Sequence, residues 1–281
     1  MKFFPKGRAA LPRGLYFRRR GSAALPMAAA VLFSASGVMA QTTNALSDAE
    51  LTGRQLAQQL CNGHPTQGLN STGTLQIRDG KGVRVEIPVQ FEILIAPMNW
   101  TSIDRVVSTN KQPAGIPGDY FEIIHNNRQP NLYIKHVIGR LDDTGSAMNS
   151  FPTNRILSGE EAMIPFAQSD FWIADLGLEF FHWPAQKILK KENRRGRGCQ
   201  VLESTNPNLS SNGYSRVVSW IDEETGGIVH AEAFDAQNNL LKEFDPKSFK
   251  KVNGQWELRD MEIRNVQTGS RTRIQFDLKP G

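Results

Sequence analysis

Three acidic side chains in one short stretch, Asp170, Asp175 and Glu179, have the residue types and the spacing for acid–base chemistry. Two carboxylates that meet in space can divide the roles of general acid and general base, as a hydrolase requires. Asp170 and Asp175 equally suit the start of a helix, where a short side-chain oxygen accepts hydrogen bonds from free N–H groups. We favour that structural role, assign no catalytic residue and predict that the protein is not an enzyme. A hydrolase that uses these carboxylates is the weakest of three functional hypotheses.

The histidines are spread over different predicted elements and form no metal site that the sequence reveals. Metal-binding histidines usually stand at short fixed spacings, with a supporting cysteine or carboxylate cluster. His230 and Glu232 point the same way on a predicted strand and are expected on a solvated face. The Gly-x-Ser-x-Gly motif of serine hydrolases is missing. The sequence therefore predicts no metal and no cofactor. The five histidines are His64, His125, His136, His182 and His230.

An aromatic-rich stretch runs from Pro165 to Pro184. Ser169 or Asp170 is predicted to cap a helix after it, and Pro184 ends any helix before it. So many aromatic residues do not suit a solvated loop, and two interpretations stay open. The stretch is either a pair of short helices that plugs the end of a β-barrel, or a lid over an apolar cavity that holds a lipid. The candidate lipid-binding residues are Phe166, Phe171, Trp172, Phe180, Phe181, Trp183 and, from a later strand, Trp220.

The elements that must position this stretch are mostly strands. Asp48 to about Cys61 is predicted to form an amphipathic helix. Val83 to Ile95 alternates apolar and polar residues, as a half-buried strand does. Turn signals such as Asn253-Gly254 recur between alternating runs. Evenly spaced hairpins predict an antiparallel sheet that curls into a barrel or half-barrel, with the helix on its concave side.

Two further expectations concern particular positions on these elements. Trp220 and Val218 lie on one face of a predicted strand, and we predict that Trp220 faces the barrel interior. Val217 and Ile221 would then point outward. The region from Asp142 to Ala162 has no regular pattern and is predicted to be a long loop.

The first forty residues are expected to be a secretory signal. They combine seven Lys and Arg residues, no acidic residue and an apolar run from Ala23 to Val38, ending in Val38-Met39-Ala40. This pattern predicts cleavage after Ala40, a periplasmic protein and one domain over residues 41–281. A retained N-terminal anchor is the alternative. Without the leader the 28 Asp and Glu residues outnumber the remaining bases, which argues against a nucleic-acid partner.

The two cysteines, Cys61 and Cys199, both follow the predicted cleavage site. In an oxidising compartment they could form a disulfide. Two separately buried thiols are the alternative, because the number of cysteines says nothing about their distance.

The part of the chain from 159 to 278 resembles the LolA-like proteins, the outer-membrane lipoprotein-sorting family. Each block that carries the resemblance is loose by itself, whereas their order and spacing are more specific. The blocks are Phe166-x-x-Ser169-Asp170-Phe171-x-x-x-Asp175-Leu176, Tyr214-x-Arg216-x-x-x-Trp220-Ile221-Asp222, Glu232-x-Phe234-Asp235 with Leu241-Lys242, Trp256 with Met261, and Arg271-Thr272.

This resemblance implies an incomplete barrel, a curved antiparallel sheet of the mainly β class wrapped over helices. It implies that the concave side holds the acyl chains of a lipoprotein or another lipid, with membrane sorting machinery as a further partner. It implies no catalytic residue. The competing hypothesis is a non-catalytic scaffold or interaction module of the cell envelope, in which the aromatic residues are simply core and an edge strand or the loop at 142–162 is the working surface.

Overall fold

The computed structural model describes residues 46–107, 120–126, 129–137, 153–208, 213–252 and 255–278. The predicted signal at 1–40 and its cleavage site lie outside these residues. The helices are α1 (Asp48–Cys61), α2 (Ile173–Leu176) and a 3₁₀ helix (Glu179–His182). The strands are β1 (Leu69–Arg78), β2 (Arg84–Ile95), β3 (Asn99–Val106), β4 (Tyr120–Asn126), β5 (Leu132–Val137), β6 (Thr153–Leu157), β7 (Ala185–Arg194), β8 (Arg197–Thr205), β9 (Arg216–Asp222), β10 (Ile228–Phe234), β11 (Leu240–Val252), β12 (Gln255–Asn265) and β13 (Arg271–Phe276).

These strands form one antiparallel sheet that does not close. Their order is β6-β5-β4-β3-β2-β1-β13-β12-β11-β10-β9-β8-β7. Each half is a meander of strands that follow one another in sequence, and the pairing of β1 with β13 joins the halves. The predicted mainly β, antiparallel, incomplete barrel is confirmed.

One face of the sheet, here called the inner face, carries the main apolar core. Leu75, Ile87, Ile123 and Ile274 on this face are completely buried. They belong to a single apolar cluster that reaches from Leu157 of β6 across the sheet to Leu202 of β8 and includes the aromatic stretch. The core therefore lies between one side of the sheet and the chain that covers it.

Helix α1 packs on the β7 end of the sheet. Its N-terminus has a capping box, in which the Ser47 hydroxyl accepts from the Glu50 N–H and the Glu50 carboxylate accepts from the Ser47 N–H at 2.8 Å. Gly53 lies so close to β7 that a Cβ there would come within 2.6 Å of the Lys187 nitrogen. Ala57 is buried in the main cluster. The predicted bounds of this helix and its packing on the core are confirmed.

Trp220 is buried, but the predicted face is wrong. Its neighbours Val217 and Ile221 belong to the inner-face cluster. Trp220 instead packs with Cys199, Val201 and Val218 in a smaller cluster on the opposite face. Strand β9 is buried on both sides, so its alternation could not show which side holds the main core. Trp220 therefore lies apart from the other lipid-binding candidates, which pack on the inner face.

The possible disulfide between Cys61 and Cys199 is not formed, and the alternative of two separate thiols holds. Both cysteines are free thiols. Cys61 packs against the inner-face cluster, whereas Cys199 belongs to the cluster on the other side of the sheet. A disulfide requires Cα atoms within about 7 Å, and the sheet separates these two side chains. Burial raises the pKa of Cys61 to about 12, so this group is a protonated thiol at neutral pH.

Two smaller expectations also need correction. The region predicted as a loop at 142–162 contains strand β6, which pairs with β5 along its whole length. His230 is buried rather than solvated, with 3% of its surface exposed. Its ring nitrogens contact Asp245 at 2.8 Å and Glu232 at 3.3 Å. The two carboxylates supply the polar partners that a buried imidazole needs.

Replacing Trp220 with alanine is expected to lower the free energy of unfolding by about 3 kcal/mol, because a buried tryptophan is lost. The indole also donates a hydrogen bond to the Glu192 carboxylate and lies 4.3 Å from the Arg194 guanidinium. Urea unfolding followed by circular dichroism measures this change. The exposed Trp256 provides the matched control, and a loss below 0.5 kcal/mol for Trp220→Ala would contradict the burial described here.

Candidate functional site

The connection between β6 and β7 joins the opposite edges of the sheet and packs on the inner face. Its main part is the aromatic-rich stretch of residues 165–184, here called the plug segment. The Phe166 ring meets Phe121 of β4 at 6.2 Å between centroids. Further along, Asp170 contacts Thr272 of β13, and Glu179 contacts Tyr133 of β5. One continuous segment thus spans the core side of both halves of the sheet.

The plug segment has little regular structure of its own. Phe166 N–H donates to the Phe171 carbonyl at 2.8 Å and closes a tight loop. Within that loop Ala167 and Gln168 have φ values of 52° and 57°, and Leu178 has a φ of 51° further on. A left-handed backbone costs a non-glycine residue roughly 1–2 kcal/mol. The four-residue helix α2 and the following 3₁₀ helix are too short to be stable alone, so tertiary contacts must hold this shape.

The aromatic side chains of the plug segment fill the space over the inner face. Phe166 and Phe171 are completely buried, and Phe180, Phe181 and Trp183 are nearly so. The Phe180 ring lies 4.5 Å from Phe181 and 6.5 Å from Trp183, in edge-on arrangements. Trp172 is partly exposed. The structure thus brings together the six candidates of this segment as a packed plug.

A buried lysine ties the middle of the plug segment to the sheet. Lys242 of β11 donates to the Asp170 carbonyl at 2.7 Å and lies 3.7 Å from the Asp175 carboxylate. Its ammonium also stands 3.5 Å from the centre of the Trp172 ring, which stacks on Tyr214 at 4.5 Å. The Tyr214 hydroxyl donates to Asp175 at 3.0 Å. We call these five residues, Asp170, Trp172, Asp175, Tyr214 and Lys242, the lysine clamp.

The charges of the lysine clamp depend on one another. Burial lowers the pKa of Lys242 to about 8, and the nearby Asp175 and Asp170 act in the opposite direction. Burial raises the pKa of Asp175, and the Lys242 charge opposes this rise. Removing one partner would leave the other charge buried without compensation, which is costly in a protein interior.

The three acidic residues singled out in the sequence each have structural partners. Asp175 accepts from the Trp172 N–H at 2.8 Å, so its predicted place at the start of a helix is confirmed. The predicted cap by Ser169 or Asp170 is wrong, because the residue before helix α2 is Trp172. Asp170 instead accepts from Ser270 at 2.5 Å and Thr272 at 2.9 Å. In the part of the chain that the structure describes, no cluster of three or more His, Cys, Asp or Glu side chains could hold a metal ion.

A second polar cluster holds the end of the plug segment. The Tyr133 hydroxyl donates to Glu179 at 2.8 Å, and Asn131 donates to the Gly177 carbonyl at 2.7 Å. Gly177 is required here, because a Cβ would lie 2.3 Å from the Tyr133 oxygen. Burial raises the pKa of Glu179 to about 7, while the Tyr133 hydrogen bond lowers it.

Comparison with known proteins identifies solved structures with a similar architecture. No curated protein matches the sequence. A family model described as an uncharacterized protein matches residues 149–278. A DUF1329 family protein from Desulfovibrio piger is 20% identical with a TM-score of 0.62, over 82% of this chain and 92% of that one. A domain from Vibrio parahaemolyticus, named for outer membrane lipoprotein sorting, is 19% identical with a TM-score of 0.60, over the same shares.

A LolA superfamily protein from Nitrosomonas europaea has a TM-score of 0.53 and 14% identity, covering 83% of this chain and 93% of that one. The chain has the LolA-like fold. At these identities the likeness concerns the fold alone. Among the described residues, no helix is long and apolar enough to cross a membrane.

Five of the residues that carried the LolA-like resemblance in the sequence meet in the lysine clamp and beside it. Asp170, Asp175, Tyr214 and Lys242 come from three distant blocks, and Thr272 from a fourth. Lys242 and Thr272 were not among the candidate site residues. The signal that could have found them is their place inside those blocks. These five residues therefore provide contacts that hold the plug segment on the LolA-like sheet.

The raised pKa of Glu179 has a measurable consequence. The folded state holds this proton up to about pH 7, whereas an unfolded glutamate loses it near pH 4.5. Below pH 4.5 the protonated Glu179 makes its full contribution to the free energy of unfolding. This contribution is lost as the pH rises toward 7, and the total loss is about 3 kcal/mol at most. Glu179→Gln should remove it. We expect unfolding free energies measured between pH 4.5 and 7.5 to fall less steeply for this variant than for the parent.

Other buried groups titrate in the same range, so the difference between the two curves is the quantity to measure. Burial raises the pKa of Asp104 to about 7 and lowers that of His125 to about 3, and both are present in parent and variant alike. Glu224→Gln, at a side chain that is 84% exposed, is the control. If the free energies of unfolding of the parent and of Glu179→Gln change in parallel with pH, the raised pKa of Glu179 is refuted.

Proposed function

We propose that this protein is a periplasmic carrier that binds the acyl chains of lipoproteins or other lipids on the inner face of its sheet, for sorting to the outer membrane. The main observation that supports this proposal is that a single segment with little regular structure covers the apolar inner face, from one edge of the sheet to the other. Secretion with cleavage after Ala40 belongs to this proposal. Membrane sorting machinery is the expected partner, and the acyl chain is the cargo.

The energetics support an exchange of plug side chains for cargo. Burying an aromatic side chain contributes about 1.5–3 kcal/mol, and each buried methylene about 0.8 kcal/mol. An acyl chain of ordinary length would therefore offset the loss of several plug aromatics. The positive φ values of Ala167, Gln168 and Leu178 add strain that release of the segment would relieve. The absence of catalysis stays part of the proposal.

The displacement step can be tested at Thr272, which is buried in β13 under the plug segment. Its hydroxyl donates to the Asp170 carboxylate at 2.9 Å and accepts from the Asp170 N–H at 3.0 Å. Thr272→Val keeps the shape and removes both bonds, which are worth about 1–3 kcal/mol together. If the segment must leave the sheet before cargo enters, this variant should take up a fluorescent fatty acid about ten-fold faster, as measured by stopped-flow fluorescence.

The matched control is Thr72→Val, which also removes a threonine–carboxylate bond, at 2.7 Å to Asp277, without touching the plug segment. Lipid extraction and native mass spectrometry of protein taken from its own periplasm supply the second arm. Desalted protein without any acyl species, together with no uptake by either variant, would contradict the carrier proposal.

An envelope interaction module is the second candidate, because the plug side chains fill the space over the inner face in this structure. Strand β6 then provides the surface, since it is an edge of the sheet and its Ile156 is 64% exposed. An exposed edge strand can pair with a segment of another chain. Ile156→Lys would abolish partner capture under this alternative and leave fatty-acid uptake unchanged under the carrier proposal.

A further inference from the structure

Four arginines form a row across four neighbouring strands. Arg84 pairs with Arg78, Arg78 with Arg271, and Arg271 with Arg264. Residues directly opposite in an antiparallel sheet share a face. The adjacent positions Ile77 and Ile263 pack on the inner face, so the arginines lie on the outer face. With strands about 4.8 Å apart, the row is about 14 Å long.

Among the residues that the structure describes, three of the four guanidinium groups in this row have no carboxylate partner within ion-pair distance. Arg264 lies 3.8 Å from Glu243. Within the described residues, Arg78, Arg84 and Arg271 have no ion pair, and all three are exposed. Like charges directly opposite each other destabilise a sheet. The row therefore lowers the stability of the free protein, which is expected of a surface that meets an anion.

A polar pocket of about 370 Å³ opens beside the row, lined by Arg78, Arg264 and Arg271 and by the turns at Gly80 and Gly269. The carboxylates on its wall already have partners. Asp79 accepts from two backbone N–H groups of its own turn. Lys247 pairs with both Glu262 and Asp245. Glu262 also pairs with Arg273, and Asp245 also pairs with Arg195. The guanidinium groups thus remain available to an external anion.

The turn beside the row adds an apolar tip. Val83 in the β1–β2 turn is 60% exposed, and Lys81 stands two residues before it. Arginines bind phosphate oxygens in a bidentate manner, and an exposed apolar side chain among cations suits the headgroup region of a membrane. We propose that the arginine row and Val83 dock this end of the sheet on a bilayer surface that contains anionic phospholipids. This inference concerns the outer face and does not depend on what the inner face binds.

Co-sedimentation with vesicles tests the proposal, using protein purified from the periplasm and vesicles of phosphatidylcholine with or without phosphatidylglycerol. The parent should bind only the anionic vesicles, and more weakly as salt is raised. A basic residue near an anionic surface contributes about five-fold in affinity. Arg78→Gln with Arg271→Gln should therefore weaken binding about thirty-fold without lowering the melting temperature.

The control pair is Lys251→Gln with Arg259→Gln, which removes the same charge at the far end of the β11–β12 hairpin. It should change vesicle binding less than two-fold. Val83→Glu provides a test that leaves the arginines in place and should also weaken binding. Three results would overturn the membrane assignment. These are equal losses of vesicle binding for both charge pairs, no vesicle binding by the parent, and complete competition by millimolar inorganic phosphate. Thr272→Val should leave vesicle binding unchanged, which separates this inference from the carrier proposal.

Discussion

Replacing Phe171 and Phe180 together with alanine is expected to leave almost no folded protein. Phe171 is completely buried and Phe180 is 6% exposed, in the cluster that joins the plug segment to the sheet. Each buried Phe→Ala change costs about 3–5 kcal/mol. Together they reach the whole stability of a typical domain, about 5–15 kcal/mol. Circular dichroism melting and the yield of soluble protein measure the effect.

Two exposed aromatic residues of the β11–β12 hairpin provide the control. Phe249 is 41% exposed and Trp256 is 65% exposed. Their joint replacement with alanine should change the free energy of unfolding by less than about 1 kcal/mol. A Phe171→Ala and Phe180→Ala protein that melts near the parent temperature would mean that the segment contributes little to the fold. The carrier proposal therefore has to be tested with milder changes, such as the one at Thr272.

Replacing Lys242 with methionine should lower the free energy of unfolding by about 3–5 kcal/mol, because a buried charge pair is broken on one side only. The side chain fits, but Asp175 loses the cation at 3.7 Å and the Asp170 carbonyl loses a donor at 2.7 Å. The pKa of Asp175 is already raised by burial, and loss of Lys242 would raise it further. The defect should therefore be larger at neutral pH than at acidic pH, where the carboxyl is protonated. Urea unfolding followed by tryptophan fluorescence at several pH values measures both effects.

A double-mutant cycle separates the charge pair from the packing. Lys242→Met combined with Asp175→Asn should recover part of the loss, because no unpaired carboxylate remains. The surface pair of Lys190 and Glu192, at 2.6 Å and with side chains 56% and 30% exposed, provides the control. Lys190→Met should cost less than 1 kcal/mol. A similarly small loss for Lys242→Met would show that the lysine clamp does not hold the plug segment.

The local features of this fold could be predicted from the sequence because they depend on neighbouring residues. Helix α1 begins and ends where its pattern indicated. The turn before β13 contains Gly269, whose φ of 73° suits glycine. The alternating run from Val83 to Ile95 located β2. The aromatic stretch was expected to cover apolar surface, as a plug or as a lid, because no solvated loop concentrates so many large apolar groups.

The remaining features depend on contacts between distant residues. Strand β6 was missed because Thr153 to Leu157 is short and largely polar, and only its pairing with β5 makes it a strand. Trp220 was assigned to the wrong face because β9 is covered on both sides. Lys242 is 3% exposed, and a lysine is almost never fully buried without a partner. Periodicity alone cannot reveal that partner, which comes from a segment far away in the chain.

The pairing of β1 with β13 has a consequence for how the chain folds. Gly73 lies opposite Phe276, so strands from the two ends of the domain are neighbours in the middle of the sheet. Contacts of such high sequence separation form slowly, because a long loop must close first. During synthesis from the N-terminus, one edge of β1 would stay unpaired until the last strand had been made, and an unpaired edge invites association with other chains. The order of synthesis thus makes the centre of this sheet its last part to assemble, and a chain that stops before residue 271 would leave both halves with an open edge.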